Sequence, residues 1–422
     1  MNYEKIDMGA YNLHIIKTNK FKTVTVEVNF REKIDKKYIT MRNLLKAVLL
    51  NTNANFKTER KLIQETENLY DLKIISANSR IGNYSNLAFK VRFLNEKYTE
   101  ESMNEYSIKF LMDVLFNPDV ENNKFNDDVV EKCKKRLEKG IKSLKDNKLK
   151  YALFNLLETT KDMPYSYNSY GYIEELEKIN SHNLYEYYQN VLNNNFIDIF
   201  VVGDIDTNLV KELLKTSFKV NTFKKEDRNI LVPELPNNGK IKKYLKEDSA
   251  NQSQLTLLCT LSELTEFERK YTLLVYNELL GGSSNSLLFD TVREKNSYAY
   301  YVNSNAKAYD NIMLIYAGIE PGNSDNVLKL IKTTLKNITR GKFEDKLLES
   351  SKKTIISSIN ASKDSPAGII NTYYAMKLVD SKDFEERIQN IQKITKEDII
   401  EISKKVAIHT MYLLEGVNNE ED

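Results

Sequence analysis

Strand signals in this chain arrive in adjacent pairs, helices gather between the pairs, and the whole order is run through twice. In the first half, residues 13–18 and 23–30 read as strands, the second with Val24, Val26 and Val28 alternating with more polar neighbours. Residues 38–51 follow as a helix, with Leu44, Leu45, Ala47, Val48, Leu49 and Leu50 spread around most of its circumference, the pattern of a helix buried between other elements. A second helix near 58–70, strands at 72–77 and 86–93, and long helices near 101–116 and 126–147 come next. A loop-rich stretch around Met163, Pro164 and Gly171 leads to a helix from about Ser181, an apolar strand at 196–202 and a helix near 208–217.

The second half begins again. Strands at 241–246 and 253–261, helices at 266–280 and 287–294, strands at 298–304 and 311–318 and further long helices repeat the plan. Before the final strand, Lys393-Ile394-Thr395 parallels Lys178-Ile179-Asn180 before the strand at 196. Helix and strand do not alternate singly, so a βαβ fold is excluded. The order implies an α+β protein of two homologous domains, each an antiparallel sheet packed with helices on one face. The domains are expected at 1–218 and 241–422. Residues 219–240, polar and carrying Pro233, Pro236 and an Asn-Asn-Gly, read as the linker.

Composition narrows the partners. A length of 422 residues suits two domains, and 41% hydrophobic with 29% charged residues is the balance of a soluble globular chain. Lys and Arg number 62 against 60 Asp and Glu, so no global field draws the protein onto nucleic acid or an anionic membrane. The start of the chain lacks a basic region followed by an apolar run, and no stretch of eighteen apolar residues occurs, so a cytoplasmic protein is expected. Cys133 and Cys259 fall in a helix and a strand, like reduced thiols of such a compartment. Nine basic residues between Lys132 and Lys150 read as a solvated helix face, or as a basic wall toward an acidic partner.

Hydrolytic chemistry is hard to find. A mononuclear zinc peptidase needs two imidazoles one helical turn apart, a third ligand and a carboxylate to activate water. The three histidines, His14, His182 and His409, lie far apart and read as structural. There is no Gly-x-Ser-x-Gly elbow, and neither cysteine has a histidine partner in sequence. Gly281-Gly282-Ser283-Ser284 lacks the Lys-Ser/Thr of a phosphate loop.

One segment does carry specific information. Leu280-Gly281-Gly282-Ser283-Ser284-Asn285-Ser286-Leu287-Leu288-Phe289, then Val292-Arg293-Glu294-Lys295 and Tyr298-Ala299-Tyr300, resembles the second domain of pitrilysin/insulinase-family zinc peptidases, the inverzincins. Asn117-Pro118, Pro164-Tyr165 and Gly203-Asp204 extend the likeness along the chain, and the resemblance implies a pitrilysin- or mitochondrial-processing-peptidase-like fold. It also implies that Arg293 and Tyr300, seven residues apart, hold substrate carbonyls beside a Gly281-Gly282 loop. A guanidinium and a phenol can donate to backbone oxygens without reading side chains. The plainer alternative is a surface ion pair at Arg293 and a core-filling Tyr300.

The first domain departs from the family where the metal belongs. Asn43 and Ala47 stand where the resemblance expects the two histidines of His-x-x-Glu-His, and Lys46 stands for the catalytic glutamate. The distal glutamate ligand should fall at Lys139 or Gly140, with Glu138 out of register. No metal and no cofactor are therefore expected on this chain. Some family members work in pairs, and this chain is similar to the zinc-less proteins that accompany a zinc-bearing paralogue in Firmicutes. The resemblance implies a noncatalytic subunit of a heterodimeric metalloendopeptidase, inactive alone, acting on a peptide or unfolded protein, with zinc on the paralogous partner. A homodimer in isolation and a peptidase-fold scaffold with no proteolytic role are the alternatives. Neither nucleic acid nor membrane is expected as a partner.

Overall fold

The computed structural model describes residues 1–218, 220 and 229–417. The first half runs β1 (Asn2–Asp7), β2 (Asn12–Lys17), β3 (Thr23–Lys33), α1 (Lys36–Leu49), α2 (Glu59–Asn68), β4 (Lys73–Ile81), β5 (Tyr84–Leu94) and α3 (Met103–Phe116). A small hairpin of β6 (Val120–Glu121) and β7 (Lys124–Phe125) precedes α4 (Asp127–Lys142), α5 (Lys148–Glu158), α6 (Ile173–Lys178), α7 (Ser181–Asn194), β8 (Phe196–Gly203) and α8 (Thr207–Ser217). The second half runs β9 (Lys242–Asp248), β10 (Ser253–Leu261), a composite helix with α9 (Leu273–Asn277) at its centre, β11 (Ala299–Lys307) and β12 (Ile312–Ile319). Five helices and a strand close it: α10 (Ser324–Thr339), α11 (Asp345–Ser362), α12 (Pro366–Val379), α13 (Phe384–Gln392), α14 (Lys396–Lys404) and β13 (Val406–Gly416).

Duplication is written in the strand order. The first sheet is β1-β2-β8-β3-β5-β4 and the second, taken from its other edge, is β9-β13-β10-β12-β11. Setting β1 aside, each strand has a counterpart with the same neighbours. The senses agree as well: β2 with β8 and β9 with β13 are parallel, and the other pairs are antiparallel. Each sheet is thus antiparallel except for one parallel pair, where a strand from the end of a half returns beside its first strand. The sequence signals missed β1, which is short and mostly exposed.

Local chemistry explains the helical starts. Asp35 accepts from Lys37 N at 2.9 Å to cap α1, and Asn180 and Asn183 form a reciprocal capping box on α7. Val24, Val26, Val28 and Phe30 turn one face of β3 into a core shared with Leu44, Leu45, Val48 and Leu49 of α1. The opposite face of β3 is also buried, yet it carries Thr25, Glu27, Asn29 and Arg31. Glu27 pairs with Lys90 at 2.6 Å, Asn29 donates to Glu27, and Asn86 donates to Asn29. Such a face must satisfy its polar atoms internally.

Two units emerge, Met1–Lys142 with Asn168–Asn229, and Ser143–Tyr167 with Ile230–Asp422. The segment holding α5 therefore belongs with the second sheet. Ala152 and Leu156 of α5 pack with Leu258, Ile312, Leu314, Tyr412 and Leu414, so this sheet carries an extra helix on the face away from its main helical layer. Residues 219 and 221–228 of the expected linker lie outside the described residues. Of the rest, Val232 and Leu235 are buried in the same cluster, and Val232 N donates to Tyr309 O at 2.9 Å. Among the described residues no helix is long and apolar enough to cross a membrane.

Candidate functional site

Helix α1 carries Asn43, Lys46 and Ala47, the positions where the sequence resemblance expects a zinc motif. Its buried Arg42 donates to Glu32 at 2.7 Å, Asn195 at 3.0 Å, Tyr187 Oη at 3.2 Å and the Phe30 carbonyl. Tyr187 and Asn195 in turn donate to Glu32, which fastens α1 to β3 and α7. The next residue, Asn43, is equally committed. Its amide donates to Ile39 O at 3.0 Å and Ser169 O at 2.8 Å, and its Oδ1 accepts from Asn78 at 3.0 Å.

The loop over this point is built to fit closely. Gly171 has φ +98°, and a Cβ there would lie 2.8 Å from Thr40 Oγ1. Thr40 Oγ1 accepts from Tyr172 N at 3.0 Å, and Tyr172 Oη accepts from Asn168 N. Only glycine meets both demands at position 171.

Lys46 and Ala47 are half-buried. Burial holds the Lys46 ammonium below the ordinary lysine pKa, and no ion pair to it forms among the described residues. Helix α4 lies against α1, but Lys139 is exposed and the position of Gly140 opens onto free space. Asparagine tied to carbonyls, an ammonium, a methyl, a second ammonium and a glycine do not fit a zinc ion.

Histidines do not compensate. His14 is buried, with Nδ1 2.9 Å from Tyr3 Oη, Nε2 3.2 Å from Asp198, and its ring stacked on Phe200 at 4.3 Å. His409 is buried beside Thr410, its pKa lowered by burial and by Lys242, whereas His182 is exposed near Glu186. No group of three potential ligands forms among the described residues. The basic run is partly neutralised within the protein. Glu59 of α2 receives Lys132 at 2.6 Å and a forked pair from Arg136 at 2.9 and 3.1 Å, and Glu138 pairs with Lys142.

The second unit gathers the other candidates along β11. The helix that leads to it is π-wound at Glu268–Thr272, before α9, and kinks after α9 at Gly281, whose φ of −161° and ψ of 21° are not helical; a further π-wound turn covers Phe289–Glu294. Such winding is rare and concentrates at functional sites. Gly281 lies against β11: a Cβ there would be 2.8 Å from Ser304 N and Oγ, and one on Gly282 would strike the Glu278 carboxylate. Glycine at 281 is thus required by close approach to the β11 backbone, whereas at 282 the Glu278 side chain could move aside.

Arg293 ends the last π turn, and the chain enters β11 through Ser297, whose N–H donates to Arg293 O at 2.9 Å. The Arg293 guanidinium is exposed and rests over the Phe289 ring at 4.7 Å. No ion pair claims it among the described residues. Tyr300 lies where the β11–β12 register slips, between Ala299 opposite Ile319 and Tyr301 opposite Gly318. It is the extra residue of a β-bulge on an edge strand, a device that re-aims a side chain. Its ring is 57% exposed, so it fills no core, and its hydroxyl makes one long contact of 3.5 Å to Glu320. Sequence could not show the bulge, because the pairing partner that reveals it lies some twenty residues later.

Comparison with known proteins agrees with this architecture. Residues 178–355, which include the whole glycine-to-tyrosine segment, match the family model described as the peptidase M16 inactive domain. The chain is 28% identical to the probable inactive metalloprotease YmfF of Bacillus subtilis (strain 168) over 99% of this chain and 98% of that one. It is 27% identical to the uncharacterized zinc protease YmxG of the same organism, over 69% and 70%. A crystal structure of a conserved protein from Enterococcus faecalis V583 superimposes with a TM-score of 0.93 over 100% of both chains at 26% identity. With its duplicated α+β fold and its glycine-to-tyrosine segment, the chain is similar to M16 peptidase-like proteins, inactive and zinc-bearing relatives alike.

Proposed function

We propose that this protein is the noncatalytic, substrate-binding subunit of a heterodimeric zinc peptidase, inactive alone, whose metal is held by a zinc-bearing paralogue. The observation that carries the reading is the bulge that turns Tyr300 outward on the edge strand β11, with the uncommitted Arg293 at the end of the preceding helical turn. Both groups are donors kept available, at some expense in packing. An extended peptide offers them backbone carbonyls, and donors of this kind position a scissile bond and stabilise the oxygen that becomes negative. The ligand-poor surface of α1 and α4 supports division of labour, since this chain supplies grip and no water-activating base.

Cleavage of unstructured peptides by the mixed subunits tests the proposal. The chain alone should be inactive, and its addition to the zinc-bearing paralogue should restore turnover. Arg293→Ala or Tyr300→Phe should then lower kcat/KM by about 100-fold, the scale of losing one oxyanion donor. Unchanged activity in both variants would exclude the gripping role.

A further inference from the structure

The duplicated sheets differ at one edge. In the first sheet the outer side of β2 is covered by β1, paired antiparallel from Asn2 opposite Lys17 to Asp7 opposite Asn12. Its counterpart in the second sheet is β9, parallel to β13 from Lys242 opposite Thr410 to Asp248 opposite Gly416. No strand among the described residues covers the other side of β9, and residues 242–247 are all exposed, Leu245 to 63% and Tyr244 to 41%. An uncovered edge exposes a row of backbone donors and acceptors that pairs readily with another strand.

Proteins often blunt such edges with lysines, and β9 has Lys242, Lys243 and Lys246. Here the charges are segregated, with Lys242 and Lys243 at one end and Glu247 and Asp248 at the other. A strand of that pattern is complementary to itself when reversed. Antiparallel pairing about Leu245 sets Lys243 opposite Glu247, Lys242 opposite Asp248, Tyr244 opposite Lys246 and Leu245 opposite Leu245. Directly opposed residues share a face of the sheet, so each pair can interact. Asp248 is already held by Lys148 at 2.7 Å, which leaves the Lys243/Glu247 pair as the main determinant.

The neighbouring helix points to the same occupant. Lys243 lines a groove of 340 Å³ together with Lys329, Lys332 and Lys336 of α10, and among the described residues its ion pair is a loose contact to Asp325 at 3.7 Å. Glu247 of a second copy, opposite Lys243, would bring a carboxylate to the side where these ammonium groups face one another. We propose that two copies of this chain associate through β9, antiparallel about Leu245, to form one sheet continuous across a two-fold axis. This interface is independent of Arg293 and Tyr300, which belong to β11 and its approach at the other edge of the sheet.

A seven-residue edge is smaller than a standard stable interface, so the dimer is weak, and sedimentation of the full chain from about 1 µM to 1 mM is the suitable range. The wild type should self-associate, less so at high salt. Lys243→Glu and Glu247→Lys should each raise the dimer Kd about tenfold or more, because each puts two like-charged pairs across the axis. Mixed together, the two variants should associate about as well as wild type, since every 243/247 pair is then opposite in charge. That rescue also shows both variants to be folded. A wild type monomeric throughout, single variants that associate unchanged, or a mixture no better than either variant alone would each overturn the proposal.

Discussion

Replacing Asn43 is the sharpest probe of what holds helix α1 in place. The side chain is 6% exposed and ties α1 to two other segments, donating to Ser169 O and accepting from Asn78. Asn43→Ala removes both tertiary hydrogen bonds and a third to Ile39 O within the helix. A net contribution of about 1 kcal/mol per tertiary bond, with part of the desolvation loss recovered because Ser169 is exposed, gives about 2 kcal/mol. Asn43→Asp should be worse than alanine. It keeps the acceptor for Asn78 but sets a carboxylate against two carbonyl oxygens, where a donor is required. Urea unfolding followed by circular dichroism gives the stability change, and amide exchange over residues 169–173 should quicken in both variants. An alanine variant within about 0.5 kcal/mol of the parent, or an aspartate no worse than alanine, would refute the view that position 43 is a structural tie.

Three further outcomes follow from the same geometry. Lys46→Met should stabilise the protein by about 1 kcal/mol at neutral pH, because it removes a desolvated ammonium without an ion-pair partner. The lysine pKa is lowered on folding, so parental stability should rise with pH between that lowered value and the ordinary 10.5, and unfolding of the methionine variant should lack this rise. Glu59 behaves oppositely: hydrogen bonds from Arg136 and Lys132 hold its pKa at about 2, below the ordinary 4.5. Its contribution is therefore complete above pH 4.5 and lost as pH falls toward 2; with the side chain a third exposed, about 1 kcal/mol should separate Glu59→Gln from the parent in neutral-pH melts and vanish in acid. Cys133 and Cys259 are buried, which pushes their thiols up to about 11 and about 12, so iodoacetamide at pH 8 should label neither until the protein unfolds.

The elements of this fold were legible because their signals are local. The alternation of Val24, Val26 and Val28, the crowded apolar surface of α1 and the Gly281-Gly282 break each follow from periodicity or from a residue's backbone chemistry within one turn or one strand. The repeat was legible for the same reason, as an order of local signals. The chemistry of Asn43, Lys46 and Ala47 was equally plain, since no arrangement of them supplies an imidazole or a water-activating carboxylate.

Tertiary structure decided what depends on a partner distant in sequence. It assigned α5 to the second sheet, because the apolar face of Ala152 and Leu156 finds its complement in Leu258, Leu314 and Leu414. It made Asn43 a tie rather than a vacancy, since Ser169 and Asn78 become its neighbours only on folding. It turned Tyr300 to the outside through a register slip that exists only when β11 meets β12, and it left β9 open while β1 closed the matching edge of the other sheet. Sequence by itself determined which segments form helices and strands, in what order, and which chemistry is missing. Which atoms those segments face was fixed by long-range packing, because a hydrogen bond or an apolar contact depends on separation in space and carries no trace in the local pattern.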